Sequence, residues 1–249
     1  MANFRCEGLC KSFDGIRALA DVQIQLPPTG ITAIIGPNGA GKTTLFNVLT
    51  GFVRPDRGRC FLGERETTRL ASHQIAQQGV ARTFQDLRLI FRIPVLDNVL
   101  LARPSQIGES LLGAVLRLGV LAEEARNRED AMRLLKFVGL EDRAQELAGD
   151  LSYGQQKLLT LACCLATEAR ILLLDEPVAG LHPEMVSRIL DLLRQLRDQG
   201  KLVVFVEHDI AAVRLVADHV IVMDEGKAIV QGPPREVLER PEIMEAYLG

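Results

Sequence analysis

The chain has 249 residues, of which 47% are hydrophobic and 24% charged, so it can bury the core of a globular domain. A net charge of −3 disfavours nucleic acid and anionic lipid as partners, because both attract basic proteins. No apolar run reaches the roughly 18 residues of a membrane-spanning helix, and the N-terminus does not resemble a secretory signal. We therefore expect a cytoplasmic protein.

The five cysteines favour a reducing compartment, because their number is odd. Cys163 and Cys164 stand in an apolar helical pattern, where small buried thiols are common. Cys6 and Cys10 could form half of a metal site, but their spacing does not recur, and the alternation around them favours a strand.

The N-terminal part of the chain predicts a β-region followed by a strand, a loop and a helix. Residues 1–30 alternate polar and apolar side chains in short segments such as 22–26, which is typical of half-exposed antiparallel strands. Residues 31–35 are an apolar, β-rich run that ends at a glycine, and residues 42–49 predict a helix that stops near Gly51.

A helical pattern dominates from about residue 97 to residue 147 and predicts a helical subdomain inserted between strands. One face of it carries apolar residues at helical spacing, namely Ala131, Leu134, Leu135 and Val138. Residues 108–123 also place leucines and valines close together. We favour a buried subdomain helix for that stretch, and an apolar patch that faces a partner protein is the alternative.

The C-terminal half predicts parallel strands and a hairpin. Residues 171–174 and 202–206 are continuous apolar runs, as expected for strands covered on both faces by helices. Residues 220–223 and 228–230 flank Asp224-Glu-Gly-Lys227, which is a hairpin signal. The helix between the two apolar runs is predicted from Val186, Ile189, Leu190, Leu193 and Leu196.

The glycine-rich loop after residues 31–35 matches the P-loop pattern and lies between a predicted strand and a predicted helix, as that motif requires. Glycine lets the backbone wrap closely around phosphate, and the helix dipole adds positive potential. Lys42 would reach the β- and γ-phosphate oxygens, and Thr43 would offer a hydroxyl to Mg²⁺. The predicted nucleotide-binding residues of this loop are Gly36, Pro37, Asn38, Gly39, Ala40, Gly41, Lys42, Thr43 and Thr44.

Two carboxylates follow the apolar run at residues 171–174. Asp175 would hold Mg²⁺, and Glu176 would orient and deprotonate the attacking water, since phosphoryl transfer needs an aligned nucleophile and neutralised charge. Alone, such a pair is more simply interpreted as acidic residues in a turn. The P-loop elsewhere in the chain favours the catalytic interpretation.

The segment Leu151-Ser-Tyr-Gly-Gln155 precedes an apolar helical run and resembles the signature sequence of ABC ATPases. By itself it predicts a helix start with Ser152 as the cap and an anion site at the N-terminus. The resemblance extends from Phe13 to the C-terminus, with the motifs in the family's order. It implies that Ser152 and Gly154 bind the γ-phosphate of ATP held by a second subunit, with Gln155 in the same nucleotide site.

The resemblance assigns roles to three more residues. His208 is similar to the switch histidine that contacts the γ-phosphate, and Gln85 to the glutamine that contacts Mg²⁺ and water at the hinge of the helical subdomain. Phe13 takes the place of the ring that stacks on adenine. The catalytic set is then Lys42, Gln85, Glu176 and His208, and the metal set is Thr43, Gln85 and Asp175. We interpret His73 and His219 as structural or exposed.

Three residues depart from the commonest family pattern. Tyr153 replaces a glycine of the signature, and Phe13 replaces a tyrosine. His182 stands where the loop after Glu176 usually has an aspartate, so a hydrogen bond between subunits that the family assigns to that aspartate does not carry over.

The resemblance implies an α/β P-loop NTPase of the ABC ATPase type, with an N-terminal antiparallel β-region and an inserted helical subdomain. We expect one domain over residues 1–249, with the subdomain at about residues 86–160. The implied cofactors are ATP and Mg²⁺. The implied partners are a second ATPase subunit in a head-to-tail dimer, membrane permease subunits and, indirectly, a solute-binding protein, on the cytoplasmic side of the inner membrane.

Residues 45–52, 80–85 and 241–249 are similar to the ATPases of branched-chain amino-acid importers, whose relatives serve urea and short amides. A soluble ABC ATPase of DNA repair or translation is an alternative, although such proteins usually bring a coiled-coil arm, a metal hook or a second ATPase half. A non-catalytic nucleotide-binding regulator is another. Replacement of any of four residues would favour it, and all four are present: Lys42, Asp175, Glu176 and His208. A GTPase is disfavoured because its Asn-Lys-x-Asp motif is absent.

Overall fold

The computed structural model describes residues 3–84, 87–104, 120–241 and 243. The chain divides into two units, one of Met1–Arg82 with Arg170–Gly249 and the other of Thr83–Ala169. Within the described residues, no helix has the length and apolar character needed to cross a membrane.

The strands all belong to the first unit, as far as the chain is described. They are β1 (Phe4–Phe13), β2 (Ile16–Gln25), β3 (Gly30–Ile35), β4 (Arg57–Leu62), β5 (Arg65–Glu66), β6 (Val80–Arg82), β7 (Ile171–Asp175), β8 (Leu202–Val206), β9 (His219–Asp224) and β10 (Lys227–Gly232). The helices are α1 (Lys42–Leu49), α2 (Ser72–Ala76), α3 (Val95–Leu101), α4 (Val120–Val138), α5 (Tyr153–Ala166), α6 (Pro183–Asp198), α7 (Ile210–Val216) and α8 (Pro234–Leu238).

An antiparallel sheet in the order β2-β1-β4-β5 forms the predicted N-terminal β-region. Its apolar side chains enter the core, because alternate residues of a strand point to opposite faces. Cys6 pairs directly with Cys60 across β1 and β4, and their sulfur atoms lie 3.4 Å apart in the core as free thiols. The alternation around Cys6 therefore marked a strand, as predicted.

A second sheet has the order β10-β9-β3-β8-β7-β6. Strands β9, β3, β8, β7 and β6 run parallel, and β10 returns antiparallel to β9 as the predicted hairpin. Strands β7 and β8 are buried along their whole length, which explains their continuous apolar sequences. The parallel arrangement brings the carboxyl ends of β3, β7 and β8 to one edge.

Helix α6 is amphipathic and has a defined start and end. Pro183 occupies its first turn, where the missing N–H costs nothing. Its last carbonyls accept bonds from Gly200 and Lys201, and Gly200 has a φ of 79°, so the helix ends in a Schellman motif. Its buried face consists of Ile189, Leu190, Leu192, Leu193 and Leu196.

The second unit is helical in its described part. Of the four apolar residues predicted on one face of α4, Ala131, Leu135 and Val138 are buried and Leu134 is partly buried. The signature helix α5 buries Leu158, Leu159 and Ala162 along one side. Most of the stretch 108–123, for which we predicted a buried helix, lies outside the described residues, and its last four residues begin α4.

Candidate nucleotide-binding site

Each of the three adjacent parallel strands β3, β7 and β8 leads into one of the predicted motifs. In register, Ile34 of β3 pairs with Val206 of β8, and Val206 pairs with Asp175 of β7. The P-loop follows β3, Glu176 follows β7, and His208 lies two residues beyond β8. The parallel sheet therefore gathers residues that are far apart in sequence at one edge, where ligands of such folds bind.

The P-loop requires glycine at two points where the backbone is closely packed. A Cβ atom on Gly41, whose φ is 96°, would lie 2.3 Å from the Ala18 carbonyl oxygen. A Cβ atom on Gly36 would lie 2.3 Å from the Met223 carbonyl oxygen. Gly39, with a φ of 83°, borders open space instead, so its backbone can approach a ligand closely.

Lys42 lies at the start of α1 and folds its side chain back over the loop. Its Nζ donates hydrogen bonds to the carbonyl oxygens of Gly36 at 2.6 Å and Pro37 at 2.9 Å. Burial lowers the pKa of Lys42, and the nearby carboxylates of Glu176 and Asp175 act in the opposite direction. The ammonium group has three N–H bonds, so one is left for a phosphate oxygen.

Asp175 is buried at the end of β7 and forms an ion pair with Arg82. Its Oδ2 lies 3.1 Å from Arg82 Nη2, and both side chains are about 5% exposed or less. Arg82 Nη1 also donates to Asn47 Oδ1 at 2.7 Å and to Thr50 Oγ1 at 3.3 Å, and its guanidinium lies 5.4 Å from the ring of Phe46. Arg82 therefore joins the carboxylate to the helix that follows the P-loop.

Glu176 and His208 approach each other across the same edge. Glu176 Oε1 lies 3.6 Å from His208 Nδ1, and the His208 side chain is 58% exposed. Glu176 has a φ of 46°, a left-handed conformation that is uncommon for a residue with a side chain. This arrangement places a carboxylate and an imidazole side by side, and either group is of a kind that can act as a general base.

The sequence reasoning missed Arg82 and Glu207. Glu207 is almost fully buried, and its carboxylate accepts hydrogen bonds from the main-chain N–H groups of Val178 and His208. Each of these residues is a charged residue in or directly after an apolar strand. That pattern could have indicated a buried interaction, because charged residues are rarely buried without a partner. The identity of the partner was not visible in the pattern.

In the second unit, the signature segment forms the start of α5. Ser152 is the N-cap, and its Oγ accepts a hydrogen bond from the Gln155 N–H at 3.4 Å. The Gln155 side chain accepts one from the Ser152 N–H at 2.9 Å, which completes a capping box. Gly154 lies in the first turn between them. The cap that we predicted at Ser152 is therefore present.

Of the remaining residues discussed from the sequence, Phe13 and His182 are exposed, and Gln85 is not described. Phe13 is 44% exposed at the end of β1, and Lys11 Nζ lies 5.2 Å from its ring centre. His182 is the exposed N-cap residue of α6 and makes no capping hydrogen bond through its side chain. Gln85 lies outside the described residues, and so do all but two residues of the C-terminal segment 241–249.

Thr43 and Asp175 fit the requirements of Mg²⁺. A hydroxyl and a carboxylate are hard oxygen ligands, and Mg²⁺ is usually held by one or two such groups together with substrate phosphates. The described residues contain no cluster of three or more His, Cys, Asp or Glu side chains that could hold a metal by themselves. A Mg²⁺ ion held by Thr43 and Asp175 would complete its coordination with water molecules and nucleotide phosphates.

Comparison with protein families matches the ABC transporter family over residues 19–179. Among curated proteins, the chain is similar to the high-affinity branched-chain amino acid transport ATP-binding protein BraF of Pseudomonas aeruginosa. The two are 37% identical over 244 residues, which cover 97% of this chain and 96% of BraF. The resemblance inferred from the motifs is confirmed.

Two solved structures share the fold. The ADP conformation of an ATP-binding cassette of an ABC transporter is 32% identical, with a TM-score of 0.85 over 100% of this chain and 99% of that one. A dimeric cassette in a post-hydrolysis state, bound to ADP and phosphate, is 26% identical, with a TM-score of 0.78 over 93% of this chain and 99% of that one. The predicted α/β P-loop architecture is confirmed, and the chain belongs to the ABC transporter family.

Proposed function

We propose that this chain is the ATP-binding and ATP-hydrolysing subunit of an importer for branched-chain amino acids. The observation that carries the proposal is the convergence of Lys42, Asp175, Glu176 and His208 at one edge of the parallel sheet. The similarity to BraF along nearly the whole chain supports the choice of solute.

The P-loop and the start of α1 bind the nucleotide. The backbone N–H groups between Gly39 and Thr44 receive the phosphates, and the Lys42 ammonium contributes positive charge beside them. The Phe13 ring is exposed and can stack on a base. Thr43 and Asp175 would hold Mg²⁺, which would neutralise phosphate charge.

The residues that follow β7 and β8 catalyse ATP hydrolysis. The Glu176 carboxylate orients a water molecule and accepts its proton, and His208 contacts the γ-phosphate from the neighbouring segment. Gln85 is assigned to contact water and Mg²⁺, as the family resemblance implies. Lys42 stabilises the charge that develops as the phosphoryl group leaves.

The active form is a head-to-tail dimer with two ATP molecules between the subunits. Each ATP lies between the P-loop of one subunit and Ser152, Gly154 and Gln155 of the other. A relative that is dimeric and bound to ADP and phosphate supports a dimer as the active form. ATP drives closure because it contacts both subunits only in the closed state, which is a population shift.

Within each subunit the predicted helical subdomain, at about residues 86–160, carries the signature and moves with the permease. It falls inside the Thr83–Ala169 unit. The complex contains two ATPase subunits, permease subunits and a solute-binding protein, and places this chain on the cytoplasmic face of the inner membrane.

The test is to tag the chain at its natural expression level, solubilise the membranes gently and identify the copurifying proteins by mass spectrometry. Permease subunits, a second ATPase and a binding protein that prefers leucine, isoleucine or valine are expected. A binding protein for urea or short amides would move the solute assignment to those compounds. Recovery only with soluble repair or ribosomal proteins would refute the importer assignment, and the nucleotide site would remain.

A further inference from the structure

Glu207 is a buried carboxylate next to the catalytic edge. It follows β8 directly and is 1% exposed. A carboxylate in such a place is costly unless its oxygens accept hydrogen bonds. Its Oε1 accepts from the Val178 N–H at 3.0 Å, and its Oε2 accepts from the His208 N–H at 3.2 Å. The side chain therefore links the loop after β7 to the residue after β8.

The loop after β7 needs such a link because Glu176 is in a left-handed conformation, with a φ of 46°. A non-glycine residue keeps that conformation only where its surroundings hold it. The Glu176 N–H donates to the Val206 carbonyl at 3.0 Å on one side. On the other side, Pro177 has a fixed φ and is followed by Val178, whose N–H is held by Glu207.

Glu207 also contacts the strand that leads into the P-loop. Its own N–H donates to the Ile34 carbonyl oxygen at 3.3 Å. One residue is thus bonded to the segments that carry the P-loop, Glu176 and His208. A shift of any of these segments would have to break a hydrogen bond to a buried group.

We propose that Glu207 is a positioning residue, which holds the backbone of Glu176 and His208 so that their side chains stay at the observed 3.6 Å separation. Glu207 acts through these two residues and has no role in binding ATP. The inference rests on the proposed function, since it assumes that Glu176 and His208 hydrolyse ATP.

The decisive variant is Glu207→Gln. Glutamine has the same shape, but it must place its NH₂ group opposite one of the two main-chain N–H donors, so one bond is lost. We expect kcat for ATP hydrolysis to fall at least tenfold while KM for ATP changes less than twofold. We also expect the amides of Val178 and His208 to exchange hydrogen at least tenfold faster in the nucleotide-free protein.

Two further variants separate positioning from general loss of stability. Val22→Ala removes buried methyl groups from β2 in the antiparallel sheet, and it should lower the unfolding temperature without changing kcat or the exchange at Val178. Glu207→Asp keeps the charge but shortens the side chain, so it should lower kcat as Glu207→Gln does.

A kcat within twofold of wild type in Glu207→Gln, or normal exchange at Val178 in that variant, would overturn the proposal. Normal activity in Glu207→Asp would also overturn it, because charge alone would then suffice. If the wild-type chain hydrolyses no ATP, the proposed function fails, and the exchange rates still decide whether Glu207 holds the loop.

Discussion

Two helix N-termini of this protein are built in opposite ways. Helix α1 begins after Gly41, which is in a left-handed conformation, and no side chain caps it. Helix α5 begins after Ser152, and a capping box with Gln155 occupies its N-terminus. An uncapped helix start leaves its N–H groups for a ligand, whereas a capped one is stable without a ligand. The first is suited to hold a nucleotide, and the second to contact one that another subunit presents.

The largest effect is expected for ATP hydrolysis in a variant that still binds ATP at the start of α1. Glu176→Gln keeps the shape of the side chain and removes the base, so ATP hydrolysis should fall by about 10²–10⁴-fold while ATP binding persists. Phosphate release and calorimetric ATP titration measure the two quantities. Light scattering should also detect an ATP-dependent dimer of this variant, and its absence would contradict the two-site arrangement.

Lys42→Ala removes the positive charge from the uncapped helix start. Hydrolysis should fall by about 10²–10³-fold, and ATP affinity should fall with it, because the phosphates lose a charged donor in both states. Lys227→Ala, at the exposed first residue of β10, is the matched control and should leave both hydrolysis and ATP affinity unchanged. Normal ATP affinity in Lys42→Ala would show that the main-chain N–H groups of the P-loop bind ATP without help from Lys42.

Arg82→Met tests whether the ion pair between Arg82 and Asp175 stabilises the protein next to helix α1, the helix with the uncapped start. The change leaves Asp175 buried without its guanidinium partner, which should lower the free energy of unfolding by about 3–5 kcal/mol. The double variant Arg82→Met, Asp175→Asn should recover part of the loss, since neither member of the pair then carries a buried charge. The coupling energy between Arg82 and Asp175 is obtained from urea denaturation of four proteins: the wild type, the two single variants and the double variant. If the two single losses of unfolding free energy simply add in the double variant, the ion pair is contradicted.

The smallest effect concerns the capped helix. Ser152→Ala should lower the free energy of unfolding by about 1 kcal/mol, whereas Ser152→Asp should leave it nearly unchanged, since aspartate caps as well as serine. Only the aspartate places a negative charge where a γ-phosphate is expected. ATP-dependent dimer formation should therefore fail in Ser152→Asp despite normal stability, and a normal dimer would refute a phosphate contact at Ser152.

Features set by local sequence were predictable. The helix at residues 42–49 was predicted with the observed bounds, because a P-loop and apolar spacing define it locally. The buried strands β7 and β8 followed from continuous apolar runs, since only strands covered on both faces tolerate them. The cap at Ser152 followed from residue type and position alone.

Contacts between distant residues were not predictable. Arg82 and Asp175 are 93 residues apart in sequence, and Val178 and Glu207 are 29 apart. Their contacts depend on the order β3-β8-β7-β6, which no local periodicity specifies. Residue type shows that a buried charge needs a partner, but only the packing of strands selects the partner.

The sequence by itself determined the family, the motifs and the strands that carry them, because these depend on short-range patterns of residue type. Tertiary structure alone decided that Arg82 neutralises Asp175 and that Glu207 joins Val178 to His208. The physical reason is that ion pairs and hydrogen bonds act over a few ångströms of space, and separation along the chain says little about distance in the fold.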